Sequence, residues 1–367
     1  MNLATREMRR QPRPFLLLTG GLTVVAVLLA VLGGLAQGLI DGFSGVLRAP
    51  DADLVVYART ANDSVVRSRV TAEQRDAVAG VDGVESVGGL GISLVGARPA
   101  DGGDALDVAV VGYDERLTTV PAPPEPGQAY ADEALRDDGV ETGDVLEVGP
   151  AGRTLEVVGF VSDTRYLLNP GLWVEPGTWR AVQAEARPDA APPAGGFQVL
   201  TVRAEPGVDT GTLAARIDAA TGATRTLTRA AAIDAIPGLT ASSGTLDAVG
   251  YLVLVVALLV AALFFSLVVV ERLPLYAVLK ALGAPTRRLF AGVATQAAAC
   301  AALAAVVGGL AGVGLAAASP PGVPMALPAG RLAGLLVALV VAAVAGAVTA
   351  LRRIHRVDPA TAIGTGT

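Results

Sequence analysis

The sequence contains one lysine, one histidine and one cysteine in 367 residues. Each scarcity removes a class of chemistry. A phosphate-binding loop of the GxxxxGK[ST] type needs lysine before serine or threonine, and the sole lysine, Lys280, is followed by Ala281. Nucleotide hydrolysis would have to come from another chain. The sole histidine, His355, lies beyond the last apolar run, so the long polar middle of the chain has no Ser-His-Asp triad and no HExxH zinc site. A Ser-Lys dyad there fails for the same reason. Cys300 stands alone in an apolar run, which excludes an intrachain disulfide and suits a packing thiol. The sequence has no Asp-x-Asp-x-Asp-Gly calcium loop, and acidic neighbours such as Asp132-Glu133 and Asp137-Asp138 read as solvated surface. No catalytic residue, no bound cofactor and no metal site is expected, and the chain reads as a protein that is not an enzyme.

Charge is missing in a second way. Four runs, 15–40, 249–270, 290–318 and 332–351, hold no Asp, Glu, Lys or Arg, and the mean hydropathy of the chain is +0.54. About 20 apolar residues cross a ~30 Å hydrocarbon core as helix, so each run predicts a transmembrane helix. The first follows Arg6, Arg9, Arg10 and Arg13 but is longer than a signal-peptide core, and is read as a retained span. Orientation follows the basic flanks. Residues 1–14 carry four Arg and one Glu, 271–289 three Arg, one Lys and one Glu, and 352–367 three Arg and one Asp. The connection 319–331 holds only Arg331, at a helix end where it can snorkel. Both termini and 271–289 are therefore expected in the cytoplasm of a multi-pass protein of the cell membrane. Residues 41–247 carry 31 acidic residues against 16 Arg, a charge of −15, which excludes a nucleic-acid partner for that segment.

The resulting layout is a basic tail at 1–13, a first span at 14–40, an extracytoplasmic domain at 41–246, a second span at 247–270, a cytoplasmic loop at 271–289, a third span at 290–318, a short external loop at 319–331, a fourth span at 332–351 and a tail at 352–367. Within the large domain, 53–57 and 84–95 read as strands around a helix that starts with a Thr71-x-x-Gln74 capping box. A similar unit follows late: strand 197–203, helix 209–220, strand 225–228. Between them lies a β-rich stretch with strands at 107–113 and 173–175 and a hairpin of 145–148 with 155–160 over Gly149-Pro150-Ala151-Gly152. Residues 121–127 and 186–196, rich in Pro, Ala and Gly, read as loops. The expected fold class is an α-helical membrane protein of four spans, with a large α+β domain of two β-α-β halves and a β-rich insertion between the first and second spans.

The polar break ERLPLYAVLKALGAPTRRLF, residues 271–290, is patterned as a short amphipathic helix. Pro274 suits its first turn, Leu275, Val278, Leu279 and Leu282 form one stripe at i, i+3, i+4 and i+7, and Gly283 is a C-cap before Pro285. Arg272 and Lys280 sit within it, and Arg287 and Arg288 precede the next span. A cationic helix with one apolar face between two spans points to docking, with membrane lipid as a competing surface. In the third span Gly308 and Gly312 form a small-xxx-small pair, suited to helix packing within the chain or between subunits.

These features together resemble the MacB/FtsX-type permease subunits of ABC transporters, including the DevC-like branch. Leu279-Lys280-Ala281-Leu282-Gly283-Ala284 is similar to the family's L-[KR]-A-L-G-A loop, while Pro274-Leu275 departs from its usual Glu-Ile. Arg356-Val357-Asp358-Pro359-Ala360 resembles the family's R-x-D-P ending. Ala134-Leu135 through Gly143-Asp144-Val145-Leu146, followed by Val157-Val158-Gly159-Phe160, looks like a segment of MacB-like periplasmic domains. The resemblance implies that the second to fourth spans form an FtsX-like permease domain. It implies a dimer of permeases, identical or different, with a separate cytoplasmic ATPase that binds ATP and Mg, and with an extracytoplasmic adaptor as a further partner. It also implies mechanotransmission: ATP-driven motion passes through 271–289 and the first two spans to the external domain, for export or extraction of a lipid, lipoprotein, peptide or drug-like substrate. The alternative within the same resemblance is an FtsX-like regulator of a cell-wall hydrolase.

Overall fold

A computed structural model describes residues 12–271, 286–320 and 322–354 of the chain. The chain divides into two compact units, Met1–Gly38 with Ser243–Thr367, and Leu39–Ser242.

The first unit is helical. It holds most of α1 (Pro12–Arg48), most of α6 (Leu239–Glu271), all of α7 (Thr286–Ala317) and all of α8 (Ala329–Ile354). Each contains a stretch long and apolar enough to cross a membrane: Phe15–Arg48, Gly244–Val268, Ala291–Ala317 and Ala329–Thr349. Their shared core is built mainly of small side chains. Ala26 of α1, Ala257 and Ala261 of α6, Ala297, Ala301 and Ala304 of α7, and Ala343 and Ala347 of α8 are buried together with Leu22, Phe265 and Leu339. Lipid tails are as apolar as leucine, so helices in a membrane associate through close backbone approach more than through hydrophobic burial. The alanines provide that approach.

The second unit is built on one nine-stranded sheet with the order β3-β7-β4-β6-β5-β2-β8-β1-β9. The strands are β1 (Leu54–Ala58), β2 (Val84–Pro99), β3 (Leu106–Tyr113), β4 (Gln128–Asp132), β5 (Val145–Val148), β6 (Arg153–Val161), β7 (Gly171–Val174), β8 (Val199–Ala204) and β9 (Thr224–Thr228). The two β-α-β halves, β1-α2-β2 with α2 at Ala72–Ala79 and β8-α4-β9 with α4 at Thr210–Thr221, interleave. β1 lies antiparallel between β8 and β9, and β8 lies antiparallel between β1 and β2, which is the split β-α-β arrangement. Both helices start where their caps dictate. Thr71 and Gln74 close a capping box around α2, and Asp209 accepts the Thr212 N–H at the start of α4, which ends at Gly222 in the left-handed region; the short α5 (Arg229–Asp234) follows β9.

β2 is long enough to serve two sheets. Its first half pairs with β8, while residues 90–97 pair with β3 and 97–99 with β5. Following β2-β3-β7-β4-β6-β5 returns to β2, so six strands close into a ring. A closed sheet has no unpaired edge to protect. The helix α3 (Pro176–Ala186) packs on this ring. Its Trp179 is fully buried over Gly91 and Gly112, which face each other in the β2–β3 register. A β-carbon at either glycine would fall within the indole. Phe197 stacks on the same indole, with ring centroids 6.0 Å apart.

Candidate functional site

The first candidate site is the joint where α1 ends inside the second unit. A charge-free run ending at 40 predicts a span ending there, yet α1 continues to Arg48. Residues 41–48 carry no proline to stop it, and Arg48, in the last turn where a cation suits the helix dipole, pairs with Asp41 at 3.2 Å. This extension is bound edge-on by the segment 163–169. The Val46 N–H donates to the Arg165 carbonyl at 3.2 Å, while the Leu167 and Leu168 N–H groups donate to the carbonyls of Phe43 and Gly42 at 3.3 and 2.9 Å. Ser44 and Tyr166 thus form an antiparallel bridge between a helix and a loop. Gly45 makes the approach possible, since a β-carbon there would meet the Asp163 and Arg165 carbonyl oxygens at 2.5 and 2.8 Å.

The loop side is held in an uncommon shape. Asp163, Leu167 and Leu168 have φ of 57, 50 and 70°, a region that bulky side chains rarely occupy. Backbone of this kind persists where its surroundings over-determine it. Asp132, at the end of β4 and 2% exposed, supplies part of that determination. One carboxylate oxygen accepts the Thr164 N–H at 2.8 Å and the Thr164 hydroxyl at 2.7 Å. The other accepts the Ala134 N–H at 3.0 Å and lies 3.7 Å from Arg165 Nε. Asn169 donates to the Leu167 carbonyl at 3.1 Å. Tyr166 is buried at the centre of the joint, and burial pushes its phenol up to about 12. The chain of contacts therefore runs β4, Asp132, Thr164, the 163–169 loop, and the last turns of α1.

The second candidate site is the small-residue seam of the first unit. A β-carbon on Gly308 would fall against Ala26 and within 3.0 Å of the Thr23 carbonyl, and one on Gly312 would lie 2.5 Å from the Ala30 β-carbon. The two contacts rise in step along α1 and α7, so these helices run parallel and start at the same end of the bundle. Gly309, beside them, faces Leu336 of α8. Of the predicted docking residues, Arg272, Leu275, Val278, Leu279, Lys280, Leu282 and Gly283 lie outside the described residues. Arg287 and Arg288 fall in the first turn of α7.

Two readings of polar residues are corrected. Asp132 is not solvated surface: it is buried and fully engaged, whereas its neighbour Glu133 and the pair Asp137-Asp138 are exposed. Arg331 does not simply reach for water. Its guanidinium donates to Gln37 Oε1 and to Asp247 Oδ1, both at 2.9 Å. No sequence motif marks the joint. Its one visible signal is the pair Gly42 and Gly45 in an otherwise regular helix pattern, since an isolated glycine there calls for a packing reason.

Comparison with known proteins adds the following. Residues 248–359 match the FtsX-like permease C-terminal family. An uncharacterized ABC transporter permease of Mycobacterium tuberculosis is 29% identical over 337 residues, covering 89% of this chain and 82% of its own. A second permease so described, from Mycobacterium bovis, is 28% identical over 271 residues, covering 72% of this chain and 70% of its own. Among solved structures, the periplasmic region of MacB from Actinobacillus actinomycetemcomitans aligns with a TM-score of 0.36 at 12% identity, covering 52% of this chain and 94% of that one. The extracellular domain of the noncanonic ABC-type transporter YknZ from Gram-positive bacteria aligns with a TM-score of 0.35 at 14% identity, covering 48% and 100%.

Proposed function

We propose that this membrane chain, which carries an FtsX-like permease region and is similar to ABC transporter permeases over most of its length, is the coupling subunit of an ABC transporter. In this reading a separate cytoplasmic ATPase docks on 271–289 and drives the spans, and the second unit moves in response outside the membrane. The observation that carries it is the joint. α1 is one helix from Pro12 to Arg48, and its end is hydrogen-bonded through backbone into the 163–169 loop of the second unit. In this reading the continuous helix carries a tilt or a push of the spans into that unit.

The docking element supplies the other end of the path. Leu275, Val278, Leu279 and Leu282 enter an apolar groove of the ATPase as helix anchors, and Lys280, Arg287 and Arg288 pair with acids at its rim or with anionic headgroups. ATP and Mg are held by the partner alone. The parallel course of α1 and α7 supports the shared side of the N-terminus and 271–289, and the basic flanks assign that side to the cytoplasm. Gly308 and Gly312 hold α7 against α1, so that force entering after 286 reaches α1. A dimer of permeases and an external adaptor complete the assembly, and the cargo is a lipid, lipoprotein, peptide or drug-like molecule. The test is ATP turnover by the co-purified complex in bilayer discs, with Gly45→Leu to spring the joint. Turnover should persist while its stimulation by cargo or adaptor is lost. Full stimulation in Gly45→Leu would remove the joint from the path.

A further inference from the structure

We infer that a zwitterionic phospholipid of the surrounding bilayer inserts an acyl chain between α1, α6 and α8, with its headgroup on Arg331 and Asp247. A cavity of about 240 Å³ lies there, wholly within the first unit. Leu29 and Leu32 of α1, Leu254 of α6 and Leu335 of α8 line its body. Gly33 and Gly250 stand where larger residues would narrow it. An engineered apolar cavity of ~150 Å³ admits benzene, and sites for drug-sized molecules start at ~300 Å³. This cavity therefore suits a length of hydrocarbon chain and not a bulky ligand.

The order of residues along the three helices gathers the polar ones at one end of the cavity. On α6, Asp247, Gly250, Tyr251 and Leu254 follow one another at i, i+3, i+4 and i+7, one face of a helix, across about 10 Å of rise. On α8, Arg331 precedes Leu335 by one turn, and on α1, Gln37 lies one turn beyond Gly33. Each helix thus gives one polar residue to the rim, and these three are hydrogen-bonded to one another through Arg331. Below the rim Leu29, Leu32, Leu254 and Leu335 make most of the wall apolar, so within a bilayer the abundant occupant is an acyl chain. The rim carries both signs. The Arg331 side chain is 27% exposed and that of Asp247 49%, and a guanidinium has five donors, of which two are engaged among the described residues. A lipid phosphate accepts from Arg331 while its ammonium donates to Asp247. Under the proposed orientation this lipid belongs to the outer leaflet. The inference rests on the spans crossing a membrane and not on ATPase docking.

The test uses the full chain in bilayer discs doped with a phosphatidylethanolamine whose acyl chain carries a diazirine. After irradiation, adducts should concentrate on Leu254 and Leu335, which line the cavity and are only partly exposed. Gly250→Leu adds bulk to the cavity lining at a position where a β-carbon has nothing within 4 Å, and leucine favours helix over glycine. It should cut labelling at these positions at least about tenfold, the effect of ~1.4 kcal/mol of displaced contact, with an unchanged melting curve. Arg331→Gln should lower labelling by the phospholipid while sparing labelling by a photoreactive alkane without a headgroup. Undiminished labelling in Gly250→Leu, or adducts spread evenly over lipid-facing residues such as Leu252 and Leu263, would overturn the inference. ATPase co-purification with the Gly250→Leu variant should stay intact, which keeps this test separate from that of docking.

Discussion

Replacing Asp132 with alanine should loosen the end of α1 although the two do not touch. Asp132 accepts three hydrogen bonds from Thr164 and Ala134 in a site almost closed to water. Hydrogen bonds to a charged group are each worth ~1.5–3 kcal/mol net, and a buried N–H left unpaired costs ~1–3 kcal/mol. Asp132→Ala should therefore destabilise the second unit by about 3–5 kcal/mol, a large share of the ~5–15 kcal/mol that holds a domain folded. Asp132→Asn keeps the shape and part of the acceptor capacity, and should lose about half as much. Amide hydrogen exchange on the full chain in bilayer discs separates this local effect from global unfolding. The Thr164, Val46, Leu167 and Leu168 amides, all hydrogen-bonded within the joint, should exchange roughly 100-fold faster in Asp132→Ala, since each ~1.4 kcal/mol is tenfold. If Thr164 opens while Val46, Leu167 and Leu168 keep their protection to within about threefold, the chain of contacts from β4 to α1 is refuted.

Further outcomes follow from the same geometry. Trp179→Ala removes a fully buried indole from between Phe197 and the Gly91–Gly112 pair, and should cost about 3–5 kcal/mol in denaturant unfolding of the second unit. Gly308→Leu drives a side chain into Ala26 of α1 and should destabilise the bundle by about 1–3 kcal/mol, whereas Gly314→Leu, with nothing within 4 Å of its β-carbon, should be neutral in the same thermal melt. Glu175 caps α3. Burial pushes its carboxyl up, but hydrogen bonds from Gly177 and Thr178 and the nearby Arg180 outweigh it and leave it below the usual carboxylate range. A lowered acid binds fewer protons folded than unfolded, so its contribution is present above the unfolded value and lost as pH falls through the folded one. Glu175→Ala should cost about 1 kcal/mol near neutral pH and flatten the acid limb of a stability–pH curve.

Much of the architecture was legible because membrane spans and caps announce themselves locally. Four charge-free runs marked the spans, and Thr71 with Gln74 marked the start of α2. Gly88, Gly89 and Gly91 interrupt the strand pattern of β2 with no local reason. That of Gly91, Trp179 seated over it and Gly112, involves a helix more than 60 residues away in sequence, which no local pattern encodes. That helix has a local signal in Glu175-Pro176, an N-cap with proline in the first turn, but it directly follows the strand-like Trp173-Val174, which masks the boundary. β4 is five residues long after a proline-rich loop and gains its place by pairing with β6 and β7. The joint was hidden for the same reason. The acid pair Asp132-Glu133 looks uniform in sequence, and only the strand end turns one carboxylate inward onto Thr164 and leaves the other outside.

The proposed coupling requires that a separate ATPase drive this chain through 271–289. The direct measurement is co-purification of the tagged full chain with its co-expressed ABC-type ATPase in bilayer discs, followed by ATP turnover, for the native sequence and for Leu279→Glu and Leu282→Glu. The expected result is a stable complex whose turnover responds to this chain in the native form, and loss of both the complex and that response in either variant, with the chain itself still folded by its melting curve. A complex retained at native yield with unchanged turnover in both variants would contradict it.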